Sequence, residues 1–199
     1  GWKLVSVLVG AEIIVPSPEG TAARFIRLLG SAPFWRAVGA TVVRGAAGFV
    51  LSLLLGTVVG IGAGLSPFFR SVIRPLMTVI KATPVISIIL IALIWFHTDM
   101  VPVFVSFLMT FPIICGNTIG GIMNVDPALI QMARSYRVSD RDLLTGVYLP
   151  SIVPYMVSGV SAAVGITWKV VIAAEVLAMP VHSVGTKMQN ARINLETTE

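Results

Sequence analysis

The chain has 199 residues, of which 56% are hydrophobic and only 12% are charged, and its mean hydropathy is +0.92. A soluble domain carries about 25% charged residues, so this chain could not cover a folded surface in water, which excludes an ordinary soluble enzyme. The same values exclude a disordered chain, and a single cysteine, Cys115, excludes a disulfide scaffold. The composition indicates an integral membrane protein in a lipid bilayer, whose net charge of +5 belongs to its loops and not to a nucleic-acid-binding surface.

The amino-terminal segment, residues 2–15, is apolar but is interrupted by Glu12. It is shorter than the about 20 apolar residues that a helix needs to cross the hydrocarbon core, and it lacks the small-residue cleavage site of a signal peptide. We therefore expect this segment to be the remnant of a first span, and the chain to be truncated at both ends.

Residues 16–41 are expected to form a loop that contains a short helix along the membrane interface; that this loop lies on the outer side follows only from the family resemblance given below. Pro16 and Pro18 favour an extended exit from the preceding segment. Apolar side chains then recur at helical spacing opposite Arg24 and Arg27, which is typical of an interfacial helix. The apolar positions are Ala22, Phe25, Ile26 and Leu29.

Four segments are long and apolar enough to cross a membrane. We predict spans at residues 42–66, 75–98, 100–123 and 151–179. Lys81 is the one charged residue in the second of these segments, and Lys169 and Glu175 lie in the fourth.

Three glycines in the first predicted span, Gly56, Gly60 and Gly64, recur at four-residue intervals. Small residues at this spacing share one helical face and let two helices approach closely in lipid. A phosphate-binding loop would need a preceding strand and a following Lys-Ser or Lys-Thr pair, which the sequence lacks. The glycines therefore predict close helix packing and no nucleotide site.

Residues 124–150 form the long polar interruption between the third and fourth spans. Asp126 followed by Pro127 predicts a helix start, and Ser139 with Asp142 three residues later predicts a second one. Apolar residues at i, i+3, i+4 and i+7 predict a short amphipathic helix with an apolar face to pack; they are Leu129, Met132, Ala133 and Tyr136. The loop is either a solvated connection that happens to be helical or a docking element for a soluble partner.

This loop resembles the cytoplasmic signature of ATP-binding-cassette importer permeases, which runs Glu-Ala-Ala, three residues, Gly, nine residues, Ile-x-Leu-Pro. Residues 131–133 take the first three positions, Arg137 takes the glycine position, and residues 147–150 match the end. Gln131 replaces the glutamate and loses its charge, and Arg137 in place of glycine is strained if the turn needs a positive φ. The wider context resembles the nitrate/sulfonate/taurine branch of that family at residues 16–18, 93–96, 125–127 and 173–175.

The resemblance implies an all-α, polytopic helical membrane protein with a type I importer-like permease core and a cytoplasmic coupling helix, as one transmembrane domain over residues 1–199. It implies a permease subunit of an importer for a small, anionic solute in a bacterial or archaeal cytoplasmic membrane, and not an enzyme. The implied partners are a second permease copy or a paralogue, two cytosolic ATPase subunits and an extracytoplasmic solute-binding protein. ATP and Mg²⁺ would be bound by the ATPase, and no cofactor by this chain.

The resemblance also makes residues 124–150 a cytoplasmic coupling loop, which sets an orientation that the even distribution of Lys and Arg does not. Residue 1 is then expected inside, and residues 16–36, 97–101 and 179–199 outside. The expected ATPase-docking residues are Ala128, Gln131, Met132, Ala133, Arg134, Ser135, Arg137, Ser139, Leu149 and Pro150.

The candidate pathway residues lie in the third and fourth spans. At about 1.5 Å per helical residue, Lys169 lies about 28 Å and Glu175 about 37 Å beyond Pro150, against a hydrocarbon core of about 30 Å. Each is either an interfacial residue that snorkels outward or part of an outer gate or substrate contact. Asn117 and Thr118 either face the pathway or bond to a neighbouring helix.

No catalytic constellation is visible, and with only His97 and His182 we expect no metal site. Thr98 or Asp99 is expected to cap the following helix. A secondary transporter or channel would use acidic or histidine relays within the membrane, and no acid lies mid-span; a membrane scaffold without a pathway is a third interpretation. The sequence leaves open whether the solute is nitrate, a sulfonate, bicarbonate or a vitamin precursor.

Overall fold

The computed structural model describes residues 1–10 and 15–194. Residues 11–14 of the expected span remnant and the polar end, 195–199, lie outside the described residues. The fold is all-α, with helices joined by short turns. In chain order they are α1 (Trp2–Val9), α2 (Pro18–Leu29), α3 (Ala32–Leu65), α4 (Pro67–Ala82), α5 (Val85–Trp95), α6 (Val101–Met123), α7 (Pro127–Ser135), α8 (Asp140–Leu143), a π-helical turn (Leu144–Tyr148), α9 (Leu149–Ala178) and α10 (Val184–Ile193).

Several helices begin at a serine that caps the first turn, followed by proline at one of the first two helical positions. The hydroxyl of Ser17 accepts a hydrogen bond from the backbone N–H of Gly20 at 3.2 Å, and that of Ser31 accepts one from Phe34 at 3.3 Å. Such side chains satisfy N–H groups that have no partner within the helix. Because Ser31 caps α3, this helix starts at Ala32, well before the predicted span at 42–66.

Three helical segments in the described part of the chain are long and apolar enough to cross a membrane: α3, α6, and the run from Asp140 to Ala178. α6 occupies Val101–Met123, against a predicted span of 100–123. The last segment begins before the predicted 151–179, because α8, the π-helical turn and α9 are continuous. At about 1.5 Å per residue, α3 is about 51 Å long, so it extends beyond the hydrocarbon core.

The structure differs from the prediction of a single span at 75–98. α4 and α5 meet at an angle of 100°, and the two residues between them are Thr83 and Pro84. Proline has no N–H to continue the helix, and it pushes the preceding residue into an extended conformation. Thr83 accordingly has φ −77° and ψ 128°. The pair counts as a fourth span only when both helices are taken together.

α6 lies at the centre of the bundle, between α3 and α9. Its contact with α3 is close because glycines of α3 lie against it, as the sequence predicts. A Cβ atom at Gly60 would lie 2.6 Å from Thr118 Cβ, one at Gly64 would lie 2.7 Å from Ile122 Cδ1, and one at Gly56 would meet Ile114 at 3.0 Å. The predicted packing role of these glycines is confirmed, and we call this contact the glycine seam.

The amino-terminal helix α1 is folded back on the residues that precede and begin α2. The Trp2 indole N–H donates to the Pro16 carbonyl at 3.0 Å, and Lys3 forms an ion pair with Glu19. The hydrogen bond from the Lys3 ammonium holds the pKa of Glu19 below its usual value. Trp2 and Pro16 therefore lie side by side, in contrast to the expectation that residue 1 is inside and residue 16 outside.

Candidate functional sites

The helix α7 in the 124–150 loop has a defined start. Asp126 is its N-cap, and the carboxylate oxygen Oδ1 accepts from the backbone N–H of Ala128 at 2.8 Å. Pro127 takes the first helical position, where its missing N–H costs nothing. The start predicted from this pair of residues is confirmed.

The end of α7 is a tight turn through Arg137. The N–H of Val138 donates to the Ala133 carbonyl at 3.0 Å, and the N–H of Arg137 donates to the Arg134 carbonyl at 3.0 Å. This pair of bonds is a Schellman motif, in which the residue after the cap adopts the left-handed conformation that favours glycine. Arg137 has φ 55°, so the position does require a positive φ, and arginine occupies it at a cost.

The apolar face predicted to pack is largely exposed within this chain. Only Ala133 is buried, at 6% exposure, whereas Leu129 is 42%, Met132 54% and Tyr136 81% exposed. The remaining docking candidates are also exposed: Ala128, Gln131, Arg134, Ser135, Arg137, Ser139, Leu149 and Pro150. Most side chains of α7, both polar and apolar, are therefore exposed in the described chain.

The second half of the loop is part of the last span. Ser139 Oγ accepts from the Asp142 N–H at 3.2 Å and donates to Asp142 Oδ2 at 2.7 Å, so the predicted cap is present. From Asp140 the helix continues through a π-helical turn, Leu144–Tyr148, into α9 without a break. α7 is thus joined to a membrane helix by only four residues, 136–139.

A cavity of 370 Å³ lies beside α6, on a different side from the glycine seam. Lys81 from α4, Asn117 from α6 and Tyr155 from α9 contribute its polar side chains, and Pro112, Ile113, Gly116 and Gly120 complete its lining. Asn117 Nδ2 donates one hydrogen bond to the Ile113 carbonyl at 2.8 Å. Of the four candidate pathway residues, Asn117 is the one that lines this cavity.

Two other candidate pathway residues, Thr118 and Lys169, do not line this cavity. Thr118 is fully buried against Gly60 in the glycine seam, and its hydroxyl bonds to the Ile114 carbonyl at 2.9 Å. Lys169 is exposed on α9 and lines none of the cavities described here. The structure therefore brings neither residue to the cavity that contains Asn117.

Glu175 is buried, with 0% exposure, so its side chain does not snorkel outward, which was one of the two alternatives considered for it. The Thr41 hydroxyl lies 3.0 and 2.9 Å from its two carboxylate oxygens, and Arg44 Nη1 donates to Oε1 at 3.0 Å. The backbone N–H of Gly185 donates to Oε2 at 3.2 Å. The carboxylate therefore joins α3, α9 and the start of α10.

Arg44 extends this cluster to two other segments. Its Nη1 also donates to the His182 carbonyl at 2.7 Å, and its Nη2 pairs with Asp99 in the turn before α6. Asp99 is thus an ion-pair partner and not the expected cap, since the N-cap of α6 is Met100, without a side-chain bond. We call Thr41, Arg44, Asp99 and Glu175 the outer charge cluster, after the outer side on which residues 97–101 are expected.

Sequence comparisons agree with this arrangement of apolar helices and an exposed loop helix. Residues 52–199 match the family described as the binding-protein-dependent transport system inner membrane component. The chain belongs to this family. It is therefore a permease subunit of an ATP-coupled importer, a non-enzymatic, multi-pass protein of the cytoplasmic membrane.

Individual relatives match almost the whole chain. A probable ABC transporter permease protein of Brucella melitensis is 31% identical over 194 residues, covering 97% of this chain and 78% of the relative. A putative aliphatic sulfonates transport permease protein of Escherichia coli is 33% identical over 199 residues, covering 98% and 75%. A nitrate import permease protein of Leptolyngbya laminosa is 28% identical over 188 residues, covering 86% and 67%.

Membership in a binding-protein-dependent importer family implies two kinds of partner for this permease: an ATPase and a solute-binding protein. The resemblance inferred from the loop spacing and its context, to the nitrate/sulfonate/taurine branch, is confirmed. The family has no known cofactor of its own.

Sequence reasoning missed four residues of these sites in the permease. Lys81 carried a usable signal, since it is the one charge in a long apolar segment, but it was not predicted as a site residue. Nothing in the sequence indicates that Thr41 and Arg44 bond to Glu175, because they lie 134 and 131 residues away from it in the chain. Tyr155 is one of several aromatic residues in apolar helices, and nothing in its local sequence sets it apart.

Proposed function

We propose that this permease imports a small anion and couples to a cytosolic ATPase through the loop at 124–150. The relatives named for aliphatic sulfonates and for nitrate support an anionic solute. ATP and Mg²⁺ would be bound by the ATPase, and two permease copies, or this chain and a paralogue, would form the pathway with two ATPase subunits.

The observation that carries the coupling proposal is the exposure of α7 between two fixed ends. Asp126 caps its start and the turn at Arg137 closes its end, so the helix keeps its shape without burying its own apolar side chains. A partner with a groove could cover Leu129, Met132 and Tyr136 at little entropic cost, because α7 is already ordered. The cations Arg134 and Arg137 flank these side chains and would meet an acidic rim.

The docking test reverses both charges, in the double variant Arg134→Glu, Arg137→Glu. We expect the permease to insert normally and its affinity for the ATPase to fall about tenfold, since two surface ion pairs are worth about 1–2 kcal/mol together. The readout is ATPase retained on the purified permease. Arg192→Glu is the matched control, because Arg192 is an exposed cation on α10, at the end of the molecule that bears the outer charge cluster. Wild-type retention in the double variant would reduce α7 to a solvated connection.

The side of the loop is tested by labelling single cysteines in a background without Cys115. Ser139→Cys and Thr98→Cys, both in exposed turns, are expected to react with a membrane-impermeant thiol reagent from opposite sides of sealed vesicles. Labelling of Ser139→Cys from outside would place the loop on the wrong side for a cytosolic ATPase.

A further inference from the structure

The cavity that contains Lys81 adjoins a second one. A cavity of 390 Å³ is lined by Arg70 and Arg74 of α4, together with Met77, Gly116, Ile119 and Met123. Gly116 of α6 lines both cavities. Together they form one groove between α4 and α6, which we call the α4–α6 groove.

The cations of this groove share one face of α4. Arg70, Arg74 and Lys81 are related by four and eleven positions, so at 100° per residue their side chains leave the helix within about 40° of each other. Lys81 lies about 16 Å along the axis from Arg70. None of the described residues that line the two cavities is acidic.

Two of these three cations have no partner in the part of the chain that the structure describes. The Arg70 guanidinium donates to the Ala63 and Gly64 carbonyls at 2.9 and 2.7 Å and so closes the end of α3. The side chains of Arg74 and Lys81 form no ion pair or hydrogen bond with described residues. The guanidinium of Arg44, by contrast, pairs with two carboxylates.

Lys81 of α4 lies beside the middle part of α6. Its cavity neighbours Ile113 and Asn117 are about 18–24 Å from the start of α6 and about 9–15 Å from its end. An ammonium at this depth is unfavourable unless it faces a water-filled cavity. The break in the helix at Thr83 and Pro84 follows two residues later, and irregular backbone at membrane depth is tolerated where it lines a cavity or is buried in protein.

We propose that the α4–α6 groove is the route by which a small oxyanion leaves the middle of the membrane, with Lys81 as its deepest contact. Asn117 and Tyr155 supply N–H and O–H donors beside the ammonium, and Arg74 and Arg70 draw the anion toward the end of α4 that adjoins the loop side. This inference rests on the proposed import of an anion and names the residues that select it. It replaces Lys169 of α9, which lines neither cavity of the groove.

The test measures the electrostatic potential in the groove with a cysteine at Gly116, in a background of Cys115→Ser. A Cβ at Gly116 meets nothing within 4 Å, so Gly116→Cys fits. The permease, assembled with its ATPase in phosphatidylcholine nanodiscs, is reacted separately with anionic sulfonatoethyl methanethiosulfonate and with cationic trimethylammonioethyl methanethiosulfonate. The ratio of the two rates reports the potential, because a change in thiol pKa affects both reactions equally.

We expect the anionic reagent to be favoured and Lys81→Met to lower the rate ratio about tenfold, as for a cleft lined by one sign of charge. Lys81→Arg should keep the ratio, and Lys169→Met is the matched control that should not change it. A cysteine at Gly146, also free of neighbours within 4 Å and exposed in the π-helical turn, should be insensitive to Lys81→Met. An unchanged ratio in Lys81→Met, or no reaction with either reagent, would overturn the proposal.

A second arm separates a transported anion from a lipid headgroup. Adding phosphatidylglycerol to the nanodiscs should leave the ratio unchanged, whereas millimolar nitrate or a small alkyl sulfonate should slow the anionic reagent. A ratio that falls with phosphatidylglycerol would assign the groove to lipid and overturn the proposal. Loss of ATPase docking at α7 lowers ATPase retention without changing the ratio, so the two proposals fail separately.

Discussion

Glycines lie on two sides of α6 that have opposite surroundings: those of α3 at the seam, and Gly116 of α6 itself at the groove. On the glycine seam, a Cβ added at Gly60 of α3 would lie 2.6 Å from Thr118 Cβ; on the α4–α6 groove, one added at Gly116 would meet nothing within 4 Å. In the seam, glycine removes volume so that two helices touch, which is how helices associate in lipid. In the groove, glycine leaves volume open. The same residue type therefore marks a closed contact on one side of α6 and an open space on another.

Two charged residues, Glu175 and Lys81, show a similar contrast in their surroundings. Glu175, near the end of α9 that is away from the α7 loop, is bonded by Thr41, Arg44 and Gly185, whereas Lys81 in the groove has no partner among the described residues. A buried charge with every partner in place fixes the packing of its helices. A charge without a partner, in a space large enough for a solute, is available for binding.

The largest expected effect comes from breaking the outer charge cluster. Glu175→Ala leaves Arg44 and Thr41 without the carboxylate they bond, and removing one partner of a buried pair typically costs about 3–5 kcal/mol. We expect a large fall in the thermal midpoint of the purified permease, measured by thiol-reactive or tryptophan fluorescence. Asp99→Ala, at the exposed end of the cluster, should have a much smaller effect, and equal effects would mean that burial of Glu175 is not what stabilises the joint.

Removing the unpaired cation Lys81 should change transport and leave stability unchanged. Lys81→Met is expected to leave the thermal midpoint unchanged but to lower uptake of radiolabelled nitrate or sulfonate into vesicles about tenfold, since a hydrogen bond to a charged group is worth about 1.5–3 kcal/mol. Lys169→Met should keep uptake within about twofold. A loss of uptake in Lys169→Met with none in Lys81→Met would return the pathway to α9.

The comparison between the glycine seam and the groove is tested by adding one methyl group at a glycine in each. Gly60→Ala should cost about 1–3 kcal/mol, because the seam has no room and overpacking strains both helices. Gly116→Ala should be neutral or stabilising by up to about 1 kcal/mol, from helix propensity alone. Both variants can be compared by unfolding in the same detergent. A destabilised Gly116→Ala would show that the groove closes in solution.

The smallest effect is expected at the turn after α7. Arg137→Gly relieves the positive φ and should stabilise the turn by about 1 kcal/mol, which would slow hydrogen exchange of the Val138 N–H about fivefold. Arg134→Gly, at a helical position, should change stability in the opposite direction by about the same amount. If both variants change the hydrogen-exchange rate of the Val138 N–H in the same direction, relief of backbone strain at Arg137 is not the cause of the change.

The sequence predicted the parts of this permease that depend on local patterns. The apolar run of α6, the caps at Asp126 and Ser139, and the glycine spacing of the seam each depend on residues close together in the chain. The bend at Thr83 and Pro84 was not predicted, because a count of apolar residues takes no account of a proline within the segment. The position of Glu175 was not predictable, because a depth calculated along one helix takes no account of a cation on another helix 131 residues away.

In the proposed coupling to an ATPase, the continuous helix from Asp140 to Ala178 would act as a lever. It is about 58 Å long at about 1.5 Å per residue, with the α7 loop at one end and Glu175 near the other. In the proposed coupling, a partner that moves α7 would act on this helix through residues 136–139, and the helix would carry the movement to Glu175, which bonds to α3 and α10. Between these two ends lie the π-helical turn at Leu144–Tyr148 and Pro154, and π-helical turns are rare and often occur at functional sites.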